Sequence, residues 1–224
     1  MNREGAVVIF GIGATGSALH YNLTHDGAWQ VAAFTIDREF MTGSDFLGCP
    51  LVPFDEVEGH YPPDQFQMII AVGYVRVNHL RAERYQQAKD KGYSLIRFIS
   101  PQAQIWEGFT SGDNCKIGSG SLIQPFAHIG NNVFIGSGCI IGHHAHVMDH
   151  VFIASGVTIA GSVTVEPYAF IGTGAVIRNR IRIGAESVVG AGAVILQDTD
   201  PQGVYMASPA VKLKMSSNKM VRPG

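Results

Sequence analysis

Residues 117–200 divide without gaps into fourteen six-residue units: IGSGSL IQPFAH IGNNVF IGSGCI IGHHAH VMDHVF IASGVT IAGSVT VEPYAF IGTGAV IRNRIR IGAESV VGAGAV ILQDTD. Each unit begins with Ile or Val, and a small or β-branched residue stands four positions later. A six-residue period fits neither a helix nor a two-faced strand, but it is typical of short strands joined by tight turns. Three units then make one triangular coil, and stacked coils align the aliphatic side chains inside a prism. The stretch therefore predicts a parallel β-helix.

The predicted interior ladder also accounts for stability, because burying each Ile or Val contributes roughly 1.5–3 kcal/mol. The period alone does not determine the hand of the coil, and parallel crossovers are normally right-handed. The repeat resembles that of the hexapeptide-repeat acyltransferases, which implies a left-handed coil. After the repeats, GVYMASPA at 203–210 breaks the phase. It resembles the closing G-x-P-A segment of that class and would cap the open edge.

The first hundred residues have a different pattern, in which apolar runs alternate with amphipathic segments. Strands are predicted at 7–10, 31–36, 68–72 and 94–98, and helices at 17–24 and 78–91. This alternation predicts a small parallel α/β sheet. We therefore expect a Rossmann-like α/β domain over 1–100, a left-handed parallel β-helix over 101–215, and a flexible tail over 216–224.

The composition excludes some classes of partner. With 46% hydrophobic residues, 15% charged residues and a formal net charge of -2, the chain lacks the basic field that binds nucleic acid. No apolar run approaches a membrane span, and the run at 6–10 is too short for the core of a signal peptide. The three cysteines show no metal-ligand spacing. We expect a cytoplasmic protein with reduced thiols and with neither nucleic acid nor membrane as a partner.

A G-x-G-x-x-G loop at Gly11, Gly13 and Gly16 follows the first strand and opens the first helix. Such a loop presents backbone N–H groups and a helix dipole to phosphate. Asp37 ends the second strand, where a nucleoside would lie. The alternative is a tight turn with a capping acid. Because a dinucleotide normally needs two βαβ halves, a mononucleotide or a nucleotide-linked sugar fits better than NAD.

Three histidines follow the aliphatic residue in one repeat, at His143, His144 and His146. Imidazole is a base near neutral pH, as the attack of an amine or hydroxyl on a thioester requires. The backbone amide of Gly161, 18 residues after His143, would stack one coil along and could donate to the thioester oxyanion. The alternative is a polar surface cluster, and the pairs His128 with His146 and His144 with His150 are expected to be surface stacks.

Along nearly its whole length the chain resembles the sialic-acid and bacillosamine acetyltransferase family. In that family the glycine loop and an acidic pair after the second strand hold the nucleotide of the sugar acceptor. Here Thr15 stands in place of the usual histidine, and Asp37-Arg38-Glu39 replaces the acidic pair. The resemblance implies these substrate-binding residues: Gly11, Ile12, Gly13, Thr15, Asp37, Arg38 and Gly73.

The resemblance also assigns the catalytic histidine to His143. His144 occupies the position of the acid that orients this base, so that role passes to another acceptor, such as Asp149, or the base is weaker than in relatives. Acetyl-CoA would lie between neighbouring subunits of a homotrimer, without a metal. The implied residues for acetyl-CoA are Phe152, where relatives often have a second histidine, Gly161, Thr173 and Ala191.

The favoured function is N-acetylation of a nucleotide-linked 4-amino-4,6-dideoxy sugar, by direct transfer from acetyl-CoA with His143 as base. A role in polysaccharide or glycan biosynthesis follows from the resemblance alone. The alternatives are a sugar O-acetyltransferase, a non-catalytic nucleotide-sugar-binding relative, and a trimeric zinc hydratase, which would need three converging histidines.

Overall fold

The computed structural model describes residues 5–25, 29–212, 214, 216 and 217, so most of the predicted tail 216–224 lies outside the described residues. The amino-terminal part consists of short strands and helices in alternation. Its elements are β1 (Gly5–Phe10), α1 (Ala14–His25), β2 (Trp29–Ile36), a 3-10 turn (Arg38–Phe40), β3 (Asp45–Phe46), β4 (Cys49–Pro53), α2 (Val57–His60), β5 (Gln67–Ile70) and α3 (His79–Asp90).

These strands form one sheet in the order β3-β4-β2-β1-β5. Strand β1 pairs in parallel with β2 and β5, β2 pairs in parallel with β4, and β3 and β4 form an antiparallel hairpin. Successive residues of β1 point to opposite faces, so that Val7 and Ile9 join one apolar core while Val8 and Phe10 join another. The predicted α/β fold is confirmed.

The last predicted strand of this sheet, 94–98, is not a full strand. Only Leu95 forms a bridge, with Met68, and two backbone hydrogen bonds flank it. Phe98 already donates its backbone N–H to Cys115 in the neighbouring coil. The chain leaves the sheet because it must enter the first coil of the β-helix within three residues.

Seventeen two-residue strands make up the second part. They are β6 (Phe98–Ile99), β7 (Gln104–Ile105), β8 (Lys116–Ile117), β9 (Leu122–Ile123), β10 (His128–Ile129), β11 (Phe134–Ile135), β12 (Ile140–Ile141), β13 (His146–Val147), β14 (Phe152–Ile153), β15 (Thr158–Ile159), β16 (Thr164–Val165), β17 (Phe170–Ile171), β18 (Val176–Ile177), β19 (Arg182–Ile183), β20 (Val188–Val189), β21 (Val194–Ile195) and β22 (Val204–Tyr205).

The strands stack into three parallel faces of a prism, and the second residue of almost every strand points into its interior. The first face contains β6, β8, β11, β14, β17, β20 and β22. The second contains β7, β9, β12, β15, β18 and β21, and the third contains β10, β13, β16 and β19. The predicted parallel β-helix is confirmed. The β-helix begins one coil before the repeats at 117, because β6 and β7 pair in register with β8 and β9. At the third position of that coil, Ser111 stands in place of the aliphatic residue.

Each edge of the prism is a corner where one residue per coil has a positive φ angle, a region that most side chains disfavour. The glycine corner, between the first and second faces, uses Gly120, Gly138, Gly156, Gly174 and Gly192. The histidine corner, between the second and third faces, uses Phe126, His144, Ser162 and Arg180. The asparagine corner, between the third and first faces, uses Asn114, Asn132, His150, Tyr168 and Glu186.

Helix α3 joins the two parts through the buried side chain of Arg81. Its guanidinium donates to Asn132 Oδ1 at 3.1 Å and to the carbonyl oxygens of His150 at 2.8 Å and Val151 at 3.2 Å. A neighbouring contact adds to this, since the buried Asn78 donates from Nδ2 to the carbonyl of Tyr168 at 2.8 Å. The α/β domain is therefore fixed against the asparagine corner by donors that enter the wall of the β-helix.

Among the described residues, Arg81 has only neutral groups as hydrogen-bond partners. Burial lowers the pKa of its guanidinium to about 9, so the group is still charged at neutral pH. The rings of Phe134 and Phe152 lie 5.0 and 5.5 Å from the guanidinium carbon and give this charge a further favourable contact.

The carboxyl end of the β-helix departs from the regular coil. Strand β22 pairs with β20 at a spacing of 16 residues, Val188 with Val204, whereas the preceding pairs of this face are 18 apart. The predicted break of phase in 203–210 is therefore observed, and β22 covers the edge of the last coil of the first face.

Candidate active site

His143 lies at the histidine corner with its imidazole over the backbone of Gly161, one coil further along. A Cβ atom built on Gly161 would lie 2.6 Å from both Cε1 and Nε2 of this ring. The ring can occupy this position only because residue 161 has no side chain. The predicted stacking of the two residues is observed.

The position of His143 is fixed on two sides. Its backbone N–H donates to Oε1 of Gln124 at 2.9 Å, and its Nδ1 lies 3.1 Å from Nδ1 of His144. Two unprotonated nitrogens would repel each other at that distance, so one of them carries the shared proton. The ring of His144 also packs on Phe126, with 4.8 Å between ring centroids. Gln124 and Phe126 were not predicted as site residues, although both lie one coil before the histidines.

Asp149 does not orient His143. It lies near the asparagine corner, where its Oδ1 accepts a hydrogen bond from the backbone N–H of Asn131 at 2.7 Å. In this chain His144 is therefore the group in contact with Nδ1 of the candidate base.

Gly161 presents a free donor beside the imidazole. Its carbonyl accepts from the backbone N–H of Arg180, but within the described part of the chain its own N–H donates to no acceptor. A free N–H next to an imidazole can hydrogen-bond the oxygen of a bound thioester.

The other residues expected to bind acetyl-CoA lie elsewhere on the same chain. Thr173 and Ala191 occupy the glycine corner, each just before its left-handed glycine. Phe152 projects from the first face, where its ring contacts Tyr74 and Phe170 of the same chain at 5.6 and 5.8 Å. One chain therefore brings together His143, His144 and Gly161 but not the remaining three.

The remaining histidines have separate surroundings. His128 and His146 lie in register on neighbouring coils of the third face, as predicted, and their rings meet edge to face with 4.8 Å between centroids. His150 is not stacked with His144, because it lies at the asparagine corner, where its Nδ1 is 2.9 Å from Nδ2 of Asn132. Burial, the largest cause, lowers the pKa of His150. Within the described residues, no three His, Cys, Asp or Glu side chains are grouped as a metal site requires.

The glycine loop lines a cavity of about 290 Å³ at the carboxyl ends of β1, β2 and β5. A Cβ on Gly16 would lie 2.0 Å from the carbonyl oxygen of Gly11, so this turn requires glycine. Helix α1 begins at Ala14, directly behind the loop. Six of the seven predicted substrate-binding residues line this cavity: Gly11, Ile12, Gly13, Thr15, Asp37 and Gly73.

Arg38, the seventh, does not line this cavity. It forms ion pairs with Asp55 and Glu56 and lines a second cavity of about 820 Å³. Arg84 on α3 borders both cavities and donates to Oδ2 of Asp37 at 2.7 Å. Arg84 was missed because α3 is distant in sequence from the glycine loop.

Comparison with known proteins agrees with this architecture. The family described as "Bacterial transferase hexapeptide (six repeats)" matches residues 126–161 and 162–197. No curated protein sequence matches the chain significantly. Among solved structures, perosamine N-acetyltransferase from Caulobacter crescentus, in complex with CoA and GDP-perosamine, is 27% identical with a TM-score of 0.83, and the alignment covers 96% of this chain and 100% of that one.

Two further structures share the fold. The acetyltransferase domain of PglB from Neisseria gonorrhoeae FA1090, in complex with acetyl coenzyme A, is 23% identical with a TM-score of 0.81, and the alignment covers 95% of this chain and 100% of that one. WeeI from Acinetobacter baumannii AYE is 20% identical with a TM-score of 0.79, over 93% of this chain and 99% of that one.

The fold and the hexapeptide repeats together define a hexapeptide-repeat acetyltransferase, with a Rossmann-like domain followed by a left-handed β-helix. The hexapeptide family model accounts for residues 126–197, and the similarity to the solved perosamine N-acetyltransferase extends over 96% of the chain.

Proposed function

We propose that this protein transfers the acetyl group of acetyl-CoA to the amine of a nucleotide-linked 4-amino-4,6-dideoxy sugar. The observation that carries the proposal is the imidazole of His143 lying over Gly161, whose N–H donates to no acceptor within the described residues. The solved perosamine N-acetyltransferase, which is bound to CoA and GDP-perosamine, supports both substrate classes.

In the proposed reaction the amine nitrogen attacks the thioester carbon, and the N–C bond forms as the C–S bond breaks. The free N–H of Gly161 stabilises the negative charge that develops on the thioester oxygen. Nε2 of His143 accepts the proton that the amine loses and passes it to the leaving sulfur of CoA. His143 takes this role when its Nδ1 donates its proton to His144, because Nε2 then carries the free lone pair.

The nucleotide would bind at the glycine loop. Its diphosphate would face the backbone of Gly11 to Thr15 and the amino end of α1, where N–H groups and the helix dipole favour negative charge. The Asp37–Arg84 pair at the edge of the cavity offers an acceptor and a donor to the nucleoside. This leaves the sugar free to extend away from the α/β domain.

We also propose that the active enzyme is a homotrimer whose site is shared between copies. The α/β domain docks on the first face and the asparagine corner, whereas His143 lies on the opposite edge of the prism. A nucleotide held by one chain would therefore face the His143 of another copy.

The second face supports this assembly. Its outward residues Ile140, Val176 and Val194 are 39%, 42% and 61% exposed, an unusual amount of apolar surface for a strand stack. This face links the histidine corner to the glycine corner. Copies packed along it would bring His143 and Gly161 of one chain next to Thr173 and Ala191 of its neighbour, which is where acetyl-CoA would lie.

A cytoplasmic location is part of the proposal, since Cys49, Cys115 and Cys139 are all unpaired. Burial raises the pKa of Cys115 to about 11, so this thiol is unreactive at neutral pH. Within the described residues, no helix is both long enough and apolar enough to cross a bilayer.

The proposal is tested by measuring CoA release from acetyl-CoA with a panel of nucleotide-linked amino and hydroxy sugars. We expect release only with an amino-sugar acceptor, and a loss of at least ~10²-fold in His143→Ala. Release with hydroxy sugars alone would indicate the O-acetyltransferase. Nucleotide binding without any release would indicate the non-catalytic relative.

A further inference from the structure

A cavity of about 410 Å³ lies on the amino-terminal side of His143, along the same edge of the prism. Its walls are residues 106–110 and 123–128, which form the histidine corner of the two preceding coils. The cavity adjoins the base directly, because Gln124 in its wall accepts the N–H of His143 and Phe126 packs on His144.

The lining of this cavity combines aromatic rings with hydrogen-bonding groups. Trp106 and Phe126 are 56% and 77% exposed, although aromatic side chains of this size are usually buried. Glu107, Gln124 and His128 bring a carboxylate, an amide and an imidazole to the same space. A hydrocarbon chain could not form hydrogen bonds with these polar groups. A pyranose ring uses both kinds, since its C–H faces pack on aromatic rings and its hydroxyls hydrogen-bond polar side chains.

The distance between Glu107 and His143 along this edge also suits a sugar. Glu107, Pro125, His143 and Gly161 occupy the same corner position in four successive coils. At about 4.8 Å per coil, Glu107 lies roughly 10 Å from His143 along this edge. The thioester would occupy the carboxyl-terminal side of His143, beside Gly161, which leaves the amino-terminal side for the acceptor.

We infer that this cavity is the acceptor-sugar subsite, in which Trp106 and Phe126 pack on the apolar face of a deoxy sugar and Glu107 accepts hydrogen bonds from its hydroxyls. The inference rests on the proposed function and assigns specificity-determining residues to it. The subsite is formed by the β-helix alone, so it distinguishes the sugar independently of the nucleotide.

Binding to the subsite can be observed directly. The chain has two tryptophans, Trp29 and Trp106, and Trp29 lies at the start of β2, away from the loops at the carboxyl ends of the strands. In Trp29→Phe, the emission therefore reports on Trp106 alone. We expect GDP-perosamine, or the uridine- or thymidine-linked 4-amino-4,6-dideoxy sugar, to change this emission, and the matching free nucleotide to leave it unchanged.

Kinetics of two variants provide the second readout. Phe126→Asn removes the ring at a positive-φ corner that Asn tolerates, and Glu107→Gln removes only the charge. Each is expected to raise KM for the sugar acceptor about tenfold, the equivalent of one lost hydrogen bond or ring contact, with KM for acetyl-CoA unchanged. Tyr21→Ala and Glu83→Gln, exposed positions of the α/β domain, are the controls and should change neither value.

The results of these experiments test the subsite and the transferase activity separately. A sugar-dependent change in emission without CoA release supports the subsite and contradicts the transferase. The subsite is overturned if CoA is released while the emission stays unchanged and KM is unchanged in both variants. That result still supports the transferase activity. A changed preference for acyl chain length, at constant acceptor KM, also overturns the subsite, because it assigns the cavity to the acyl group. No response to any probe overturns both.

Discussion

At the scale of single residues, the site depends on the absence of a side chain at Gly161 and on the imidazole of His144. The imidazole of His143 occupies the space that a side chain on Gly161 would fill, so the position of the base depends on this glycine. The partner of Nδ1 is His144, an imidazole in place of the acid that the family resemblance leads one to expect. Both features predict measurable changes in variants.

Gly161→Ala is expected to displace the imidazole of His143, because the new Cβ would lie 2.6 Å from two of its ring atoms. A misplacement of about 1 Å can lower kcat on the order of 10²-fold. Stability should change little, since an exposed side chain can move aside. Gly59→Ala, where no atom lies within 4 Å of the new Cβ, is the matched control. Full activity in Gly161→Ala would contradict the position assigned to the base.

His144→Glu is expected to make His143 a stronger base. A carboxylate next to Nδ1 favours the imidazolium, which forms when Nε2 takes the proton. The acidic limb of the kcat/KM profile should therefore move to higher pH by about one unit. The corner accepts Glu, because Glu186 has a φ of 59° in the equivalent position of another corner. An unchanged pH profile would show that His144 does not contact the working base.

At the scale of elements, the pattern of the repeats predicted the β-helix because one small rule, an aliphatic residue every six positions, determines each strand. The repeat pattern itself was recognised only from Ile117, because Ser111 interrupts the rule in the coil before it. The hairpin β3–β4 was missed for a similar reason. Its turn has positive φ at Leu47 and Gly48, and leucine is an uncommon residue there, so the usual Asn-Gly signal is lacking.

The docking of α3 is an element-scale feature that sequence patterns could not reveal. Arg81 lies within a polar helix and looks like any exposed arginine, yet it is fully buried because its partners are backbone carbonyls and Asn132 of the β-helix. The stacking of His143 on Gly161 was predictable because the 18-residue coil alone determines it.

Arg81→Met is expected to destabilise the protein by about 3 kcal/mol or more, because it removes the donor to the carbonyls of Asn132 and His150, to which no other described residue donates. Unfolding in denaturant measures this change. Arg76→Met, at an exposed ion pair with Glu83, should cost less than about 1 kcal/mol. Equal effects of the two substitutions would contradict the role of Arg81 in joining the domains.

At the scale of the whole molecule, the separation of the predicted residues becomes intelligible. His143 and Gly161 lie at one corner, Thr173 and Ala191 at another, and the glycine loop lies in a domain docked opposite to His143. A single chain brings these groups to three places. Two or more copies packed along the apolar second face would unite them, and the sequence of one chain cannot display such an arrangement.

Mixed assemblies test this arrangement. A chain with His143→Ala lacks the base, and a chain with Gly16→Val cannot form the tight loop at Gly11. Each variant alone should be nearly inactive. After the two are unfolded and refolded together, activity should return to about a quarter of the wild-type level or below, as shared sites require. No recovery, with mixed trimers demonstrated by mass, would contradict a site shared between copies.

The most direct test of acetyl transfer with His143 as base is the structure of the product. The protein, acetyl-CoA and the nucleotide-linked amino sugar that supports CoA release are incubated together, and the sugar is analysed by NMR before and after treatment with hydroxylamine, which cleaves esters but leaves amides intact. We predict an amide at the sugar nitrogen that survives hydroxylamine and is absent with His143→Ala. An ester that hydroxylamine removes, or the same amide formed at the same rate by His143→Ala, would contradict the account.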